Sequence, residues 1–206
     1  MNMMKINYKI LMDKEIEYIK MLDKKPKLLL HACCAPCSSA VLENLASVFD
    51  ITVFFYNPNI TPKEEFAFRL EELKRLVPEM DIEADVVSPP YDNDEFESVI
   101  KGMETLPEGG QRCKVCYRLR IEKSVCFAKE NGFDYVTTTL SISPYKNAAW
   151  LNEIGQEMSE KYGIKYLVSD FKKGDGYKRS CALSEKYSLY RQNYCGCMYS
   201  KGVEKT

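Results

Sequence analysis

The apolar positions of this chain follow two periods that alternate along its length. Leu28, Leu29 and Leu30 form a continuous apolar run ahead of His31, and residues 51–56 (ITVFFY) form another. Runs of this kind fit strands covered on both faces. Residues 82–87, 135–140 and 165–168 are shorter stretches of the same type. Between them the spacing becomes helical. Ile16, Ile19 and Leu22 mark a helix over residues 13–22, and Val41, Leu42 and Leu45 mark another. Phe66, Leu70, Leu73 and Val77 mark the next. Thr61-Pro62-Lys63-Glu64 reads as its capping box, with Pro62 at the first helical position, and Pro78 ends it. Residues 91–101 predict a further helix. Ile121, Val125 and Ala128 predict one that stops at Asn131-Gly132, and Trp150, Ile154 and Met158 one closed by Gly163. A glycine-broken basic loop runs through Arg179, and Leu183, Tyr187 and Tyr190 mark a last helix.

Strand and helix therefore alternate, with about five strands, which predicts a mostly parallel sheet with helices on both faces, Rossmann-like or HUP-like. The chain reads as one α/β domain over residues 1–206, with a helical extension at 1–26. Residues 171–206 form a basic loop, a helix and a Cys-x-Cys segment that completes a metal site. Ligands of such folds bind at the C-terminal ends of the strands.

Composition narrows the class. The 206 residues, 45% of them hydrophobic, suffice for one core. The net charge of −1 gives no global attraction for nucleic acid, so any such contact rests on locally grouped basic residues. No window approaches the ~20 apolar residues of a bilayer span. Charges interrupt every apolar run near the start, which excludes a signal sequence. A cytoplasmic protein with reduced thiols is expected, and there nine cysteines point to metal or redox chemistry.

The chemistry centres on residues 28–39, LLLHACCAPCSS. Cys33, Cys34 and Cys37 fall on a strand-to-helix turn, and Pro36 suits the first turn of the helix. A helix N-terminus favours thiolate over thiol. The cluster can be a set of buried small residues, a Cys34/Cys37 redox pair, or a metal or iron–sulfur site. Further along, Cys113, Cys116, Tyr117 and Arg120 share one helix face. Cys195-Gly196-Cys197 lies near the end, and Cys126 and Cys181 have no cysteine neighbours and read as incidental. Seven thiols in three groups exceed the four that one zinc ion or one 4Fe–4S cluster needs. The surplus is redox-active or serves a second metal. Residue 40 is alanine, so no C-x-x-C-x-x-C run exists and spacing alone does not choose iron over zinc. His31 fits a ligand or a core residue that orients a neighbour. Asp170 fits a ligand, a proton donor or a loop carboxylate.

Five ordered blocks, HACCAPC, RCKVCYRLR, TTTLSISPYKN, DFKKGDGYKRS and LYRQNYCGCMYS, resemble the cobalamin-independent epoxyqueuosine reductases of the QueH type. The match runs from about residue 28 to residue 200, and Cys181 is a departure from the pattern. The resemblance implies reductive removal of the epoxide oxygen of epoxyqueuosine, at the wobble position of tRNA, to give queuosine. It implies a 4Fe–4S cluster, an adjacent metal ion (iron or zinc), a disulfide bond, an external electron donor and no cobalamin. Cys33, Cys34, Cys113 and Cys116 are then expected as cluster ligands. Cys37, Cys195 and Cys197 serve the second metal or complete the set. Asp170 and His31 are the candidate catalytic groups. Lys146, Lys172, Lys173, Lys178 and Arg179 are candidate tRNA contacts, and Tyr145, Tyr177 and Tyr194 candidate stacking platforms. Three other classes compete: a zinc-stabilised RNA-binding or tRNA-modification accessory protein without redox activity, a nucleotide-activating tRNA thiolation enzyme, and a thiol redox sensor. The thiolation enzyme would need a phosphate loop where cysteines stand here.

Overall fold

A computed structural model describes residues 6–201; the first five residues of the N-terminal extension and the last five of the C-terminal segment lie outside the described residues. Five strands form one parallel sheet: β1 (Lys27–His31), β2 (Asp50–Phe54), β3 (Ala84–Val87), β4 (Tyr135–Thr138) and β5 (Lys165–Tyr166). Their order across the sheet is β3-β2-β1-β4-β5. Seven helices connect and flank them: α1 (Tyr8–Lys20), α2 (Ala35–Leu45), α3 (Lys63–Glu79), α4 (Asn93–Ile100), α5 (Gln111–Glu130), α6 (Ala148–Tyr162) and α7 (Gly176–Lys186). Side chains alternate across the pleat, so Leu28 and Leu30 join Met12, Leu42, Leu73 and Leu183 on one face. Leu29 joins Ile121, Val125, Leu151 and Ile154 on the other. The expected α/β fold is therefore present, with a helical layer on each side.

Several boundaries differ from the expected ones. β4 stops at Thr138 because the Thr138 hydroxyl accepts the Leu140 N–H at 3.2 Å and starts a 3₁₀ turn, Thr139–Ile142. β5 is cut to a pair of residues, opposite Tyr135 and Val136, and beyond it the Leu167 carbonyl accepts from the Thr137 hydroxyl at 2.8 Å. α1 begins at Tyr8, earlier than residue 13, since Tyr8 and Met12 extend the buried stripe of Ile16 and Ile19. The Thr61 capping box does not form: Pro62 is the N-cap of α3, and the Thr61 N–H donates to the Gly196 carbonyl at 3.0 Å. Pro78 lies inside the last turn of α3, which ends one residue later. α7 starts at Gly176, so Lys178 and Arg179 are helical, and Tyr190 lies beyond its end. Glycine is required at that start, because a Cβ on Gly176 would overlap the Phe171 carbonyl.

The strand order reverses between β1 and β4. Connections from β1 run outward through β2 and β3, and the chain then returns to β4 on the other side. That switch point opens a crevice at the C-terminal ends of the strands.

Candidate metal centre

The cysteine turn occupies the crevice. Cys34 is the N-cap of α2. The Cys33 N–H donates to Thr139 Oγ1 at 3.4 Å, and Ser38 Oγ donates to the Cys34 carbonyl at 2.8 Å. The Cys33 and Cys34 sulfurs are 3.7 Å apart, and those of Cys33, Cys34 and Cys37 all lie within 4.8 Å of one another. Such a group can hold a metal ion.

Cys113 and Cys116 sit in the first turns of α5, where the Gly109 N–H donates to Cys113 Sγ at 3.3 Å. With Cys195 and Cys197 they line a small cavity. A larger cleft of about 550 Å³ opens beside it, lined by Cys33, Cys37 and Cys195 and by Tyr145, Tyr177 and Tyr194. Arg120, Lys146 and Cys195 line both spaces. The expected thiols thus surround one region, grouped as a trio on the β1–α2 turn and a quartet from α5 and the C-terminal segment. Cys34 lines neither space, but its sulfur lies within 4.8 Å of those of Cys33 and Cys37; Cys126 and Cys181 also line neither. None of the nine cysteines is in a disulfide.

The C-terminal segment is irregular and is held by its carbonyls. Arg69 Nη1 donates to the Cys195 carbonyl at 3.2 Å, and Arg112 Nη2 to that of Tyr199 at 3.3 Å. Ser200 Oγ is 3.1 Å from Cys195 Sγ.

Charge is shared unevenly among the thiols. Hydrogen bonds from Cys34 and Cys37 hold the Cys33 thiol well below its ordinary range against the opposing effect of burial, and Lys146 and Arg120 add to the lowering. Its hydrogen bond to Cys33 pushes Cys34 up to about 12. A hydrogen bond from Cys197 likewise holds Cys195 low, aided by Lys146. Burial pushes Cys116 up to about 11. For Lys146 burial disfavours the ammonium, but Cys195, Tyr117, Cys33 and Cys37 outweigh it and keep the group protonated.

His31 takes an orienting place. It is fully buried, with Nε2 3.1 Å from the Tyr56 carbonyl and Nδ1 2.7 Å from Thr138 Oγ1. A carbonyl only accepts, so Nε2 carries the proton and Nδ1 accepts from the threonine. Both ring nitrogens thus have partners within the fold. Burial, then the Arg120 charge, lower its pKa to about 3. Asp170 is buried outside the cleft lining and pairs with Lys172 at 2.6 Å and Lys173 at 3.6 Å. Arg179 pairs with Glu43 at 2.6 Å, and Lys172, Lys173, Lys178 and Arg179 all lie outside the cleft lining. Lys146 alone of the expected basic set lines it.

Sequence reasoning missed Asn57, Arg69 and Arg191. Asn57 was visible only as a turn residue; its Nδ2 donates to the Ala32 carbonyl at 2.9 Å and fixes the cysteine turn. Arg69 did leave a signal, because an arginine three residues after Phe66 falls on the buried stripe of α3.

The fold and the site define a class: a doubly wound α/β protein with a thiol-rich, metal-competent crevice at its switch point. Comparison with known proteins narrows it. A family model described as epoxyqueuosine reductase QueH matches residues 28–202. The epoxyqueuosine reductase QueH of Streptococcus pyogenes is 41% identical over 209 residues, covering 97% of this chain and 80% of that protein. Its counterpart from Staphylococcus epidermidis is 39% identical over 202 residues, covering 95% and 85%. Among solved structures, NMN synthetase from Francisella tularensis aligns with a TM-score of 0.50 at 13% identity, covering 96% of this chain and 79% of that one, a likeness of fold alone. The chain belongs to the epoxyqueuosine reductase QueH family. No helix among the described residues is long and apolar enough to cross a membrane.

Proposed function

We propose that this protein reductively removes the epoxide oxygen of epoxyqueuosine in tRNA to give queuosine. The observation that carries this reading is the convergence of seven cysteines beside a cleft lined by four cationic side chains and no carboxylate. The four are Arg69, Arg120, Lys146 and Arg191. The reaction takes two electrons and two protons and releases water. No single side chain supplies the electron pair, and a bound redox centre does.

The donor set fits such a centre: clustered sulfurs, with Cys33 and Cys195 held low beside Lys146. Cys33, Cys34, Cys113 and Cys116 would hold a 4Fe–4S cluster. Cys37, Cys195 and Cys197 would hold an adjacent iron or zinc ion or complete the set. When bound, these groups supply electrons and Lewis acidity toward the epoxide oxygen. The rest falls to the chain. The cleft receives the wobble base, splayed from its single-stranded loop, and Tyr145, Tyr177 and Tyr194 offer it stacking surfaces. Lys146 meets the nucleotide inside the cleft. Lys172, Lys173, Lys178 and Arg179 meet backbone phosphates outside it, where Asp170 sets the position of the first two. His31 fixes the turn that carries Cys33 and Cys34. The electrons come from an external donor, cobalamin is not required, and the activity belongs to the cytoplasm.

The test is anaerobic purification, with visible absorption and metal content recorded before and after dithionite. Turnover of epoxyqueuosine-containing tRNA is then assayed. A brown protein bleached by dithionite that converts the tRNA supports the reading. A colourless protein holding stoichiometric zinc, inactive after reconstitution with iron and sulfide, would leave a zinc-stabilised binding module instead.

A further inference from the structure

Arg120 is a buried cation without a carboxylate. Its exposure is 3%, it lines both spaces of the site, and no acidic side chain pairs with it among the described residues. One edge of the guanidinium is fixed, because Nη2 donates to Asn57 Oδ1 and Asn57 is itself anchored on the Ala32 carbonyl. Cys116 lies close enough to accept from it as well. Nε is buried and has no partner. A buried N–H without an acceptor is unfavourable, and a ligand oxygen entering either space would satisfy it. Lys146 already faces Cys33, Cys37 and Cys195 as their counter-ion.

We propose that Arg120 is a catalytic residue of the epoxide reduction, donating Nε–H to the epoxide oxygen and holding the alkoxide that forms as the first C–O bond breaks. The assignment rests on the functional reading above. Overall, both C–O bonds of the epoxide break and a C=C bond forms. The oxygen leaves as water, with two electrons from the external reductant and two protons from solvent. Arg120 transfers none of these protons; it stays a guanidinium and stabilises charge where it develops. Asn57 is the positioning residue that aims it.

The experiment uses the full-length, metal-loaded protein with epoxyqueuosine-containing tRNA under anaerobic conditions. Arg120→Ala should retain the visible spectrum, the metal content and the tRNA affinity, while kcat falls about 10²–10³-fold. Added guanidinium ion should restore part of that rate in Arg120→Ala, and ethylammonium should not. Arg120→Lys keeps the charge without the planar donor edge and should remain slow. Asn57→Ala should lower kcat less than Arg120→Ala and show no guanidinium rescue. An active wild type with an unaffected or unrescued Arg120→Ala overturns this assignment alone. So does activity in the Ala and Lys variants that simply tracks lost metal, since Arg120 would then serve the thiolates. A fully loaded wild type that does not convert the tRNA overturns the functional reading, and the assignment with it.

Discussion

Gly196 joins Cys195 to Cys197 in a conformation that only glycine adopts easily. Its φ is +102°. A Cβ there would stand 2.7 Å from Ile60 Cγ1 and 3.1 Å from Arg69 Nη1. Gly196→Ala therefore meets backbone strain of roughly 1–2 kcal/mol and crowding of about 1–3 kcal/mol. With some give at the end of Arg69, the total comes to about 2–4 kcal/mol, or roughly 30- to 700-fold in a local equilibrium. The segment is irregular and tied down by a few hydrogen bonds, so it opens on its own before the sheet does. The penalty should then leave thermal unfolding nearly unchanged and appear locally. The Thr61 N–H is the reporter, because its acceptor is the Gly196 carbonyl at 3.0 Å. Native-state hydrogen exchange should show the Thr61 amide of the metal-free variant losing protection by that factor, with the β1 amides unchanged. Equal Thr61 protection in Gly196→Ala and wild type would refute the strap geometry. A loss of protection shared by β1 would refute its independence.

Three further outcomes follow from local geometry. A Cβ at Gly155 would overlap the Tyr166 ring, so Gly155→Ala should lower Tm by about 3–10 °C, and a neutral scan would contradict that packing. His31 titrates at 6.5 when unfolded and at about 3 when folded. The unfolded chain therefore binds the proton first. Its contribution to stability is whole above pH 6.5 and declines as pH falls toward 3, by up to about 1.4 kcal/mol per pH unit. Denaturant titrations should show a shallower acid loss in His31→Gln, and equal slopes in the two proteins would exclude a buried neutral imidazole. Charge reversal at Lys172 and Lys173 should weaken tRNA binding and flatten its salt dependence, by a log–log slope of about 0.7 per lost phosphate contact. Unchanged affinity across salt would remove that loop from the tRNA surface.

What the sequence made legible was local. The strands announced themselves through apolar runs, and the α5 face of Cys113, Cys116, Tyr117 and Arg120 followed from helical spacing, which needs no tertiary information. What it concealed depends on partners distant along the chain. His31 fits a ligand or a core residue equally until Thr138 and the Tyr56 carbonyl are seen on its two nitrogens. The Thr61 capping box matches the pattern, yet its N–H is claimed by Gly196. Asp170 follows a strand, as a site residue should, but the two lysines just after it draw it away from the cleft. Nothing near Arg179 in the chain announces its pairing with Glu43, 136 residues away.

The same distribution of pairs explains how a chain of net charge −1 can meet an anionic substrate. Outside the cleft several cations are paired: Lys172 and Lys173 face Asp170, Arg179 faces Glu43, and Arg118 faces Glu157. Within the cleft they are not matched by lining carboxylates. Of the four cations there, Arg69 pairs with an acid, Glu65, which stands outside the lining. A low-dielectric wall strengthens whatever field remains, so a few unmatched charges outweigh many matched ones. Lys146 and Arg120 help hold the Cys33 thiol low, and Lys146 does the same for Cys195. Lys146 therefore serves the sulfur site from one side and the incoming nucleotide from the other. Any substitution that neutralises Lys146 should disturb both, raising the Cys33 and Cys195 thiols and weakening tRNA together. Substitutions at Lys172 or Arg179 should touch the RNA alone.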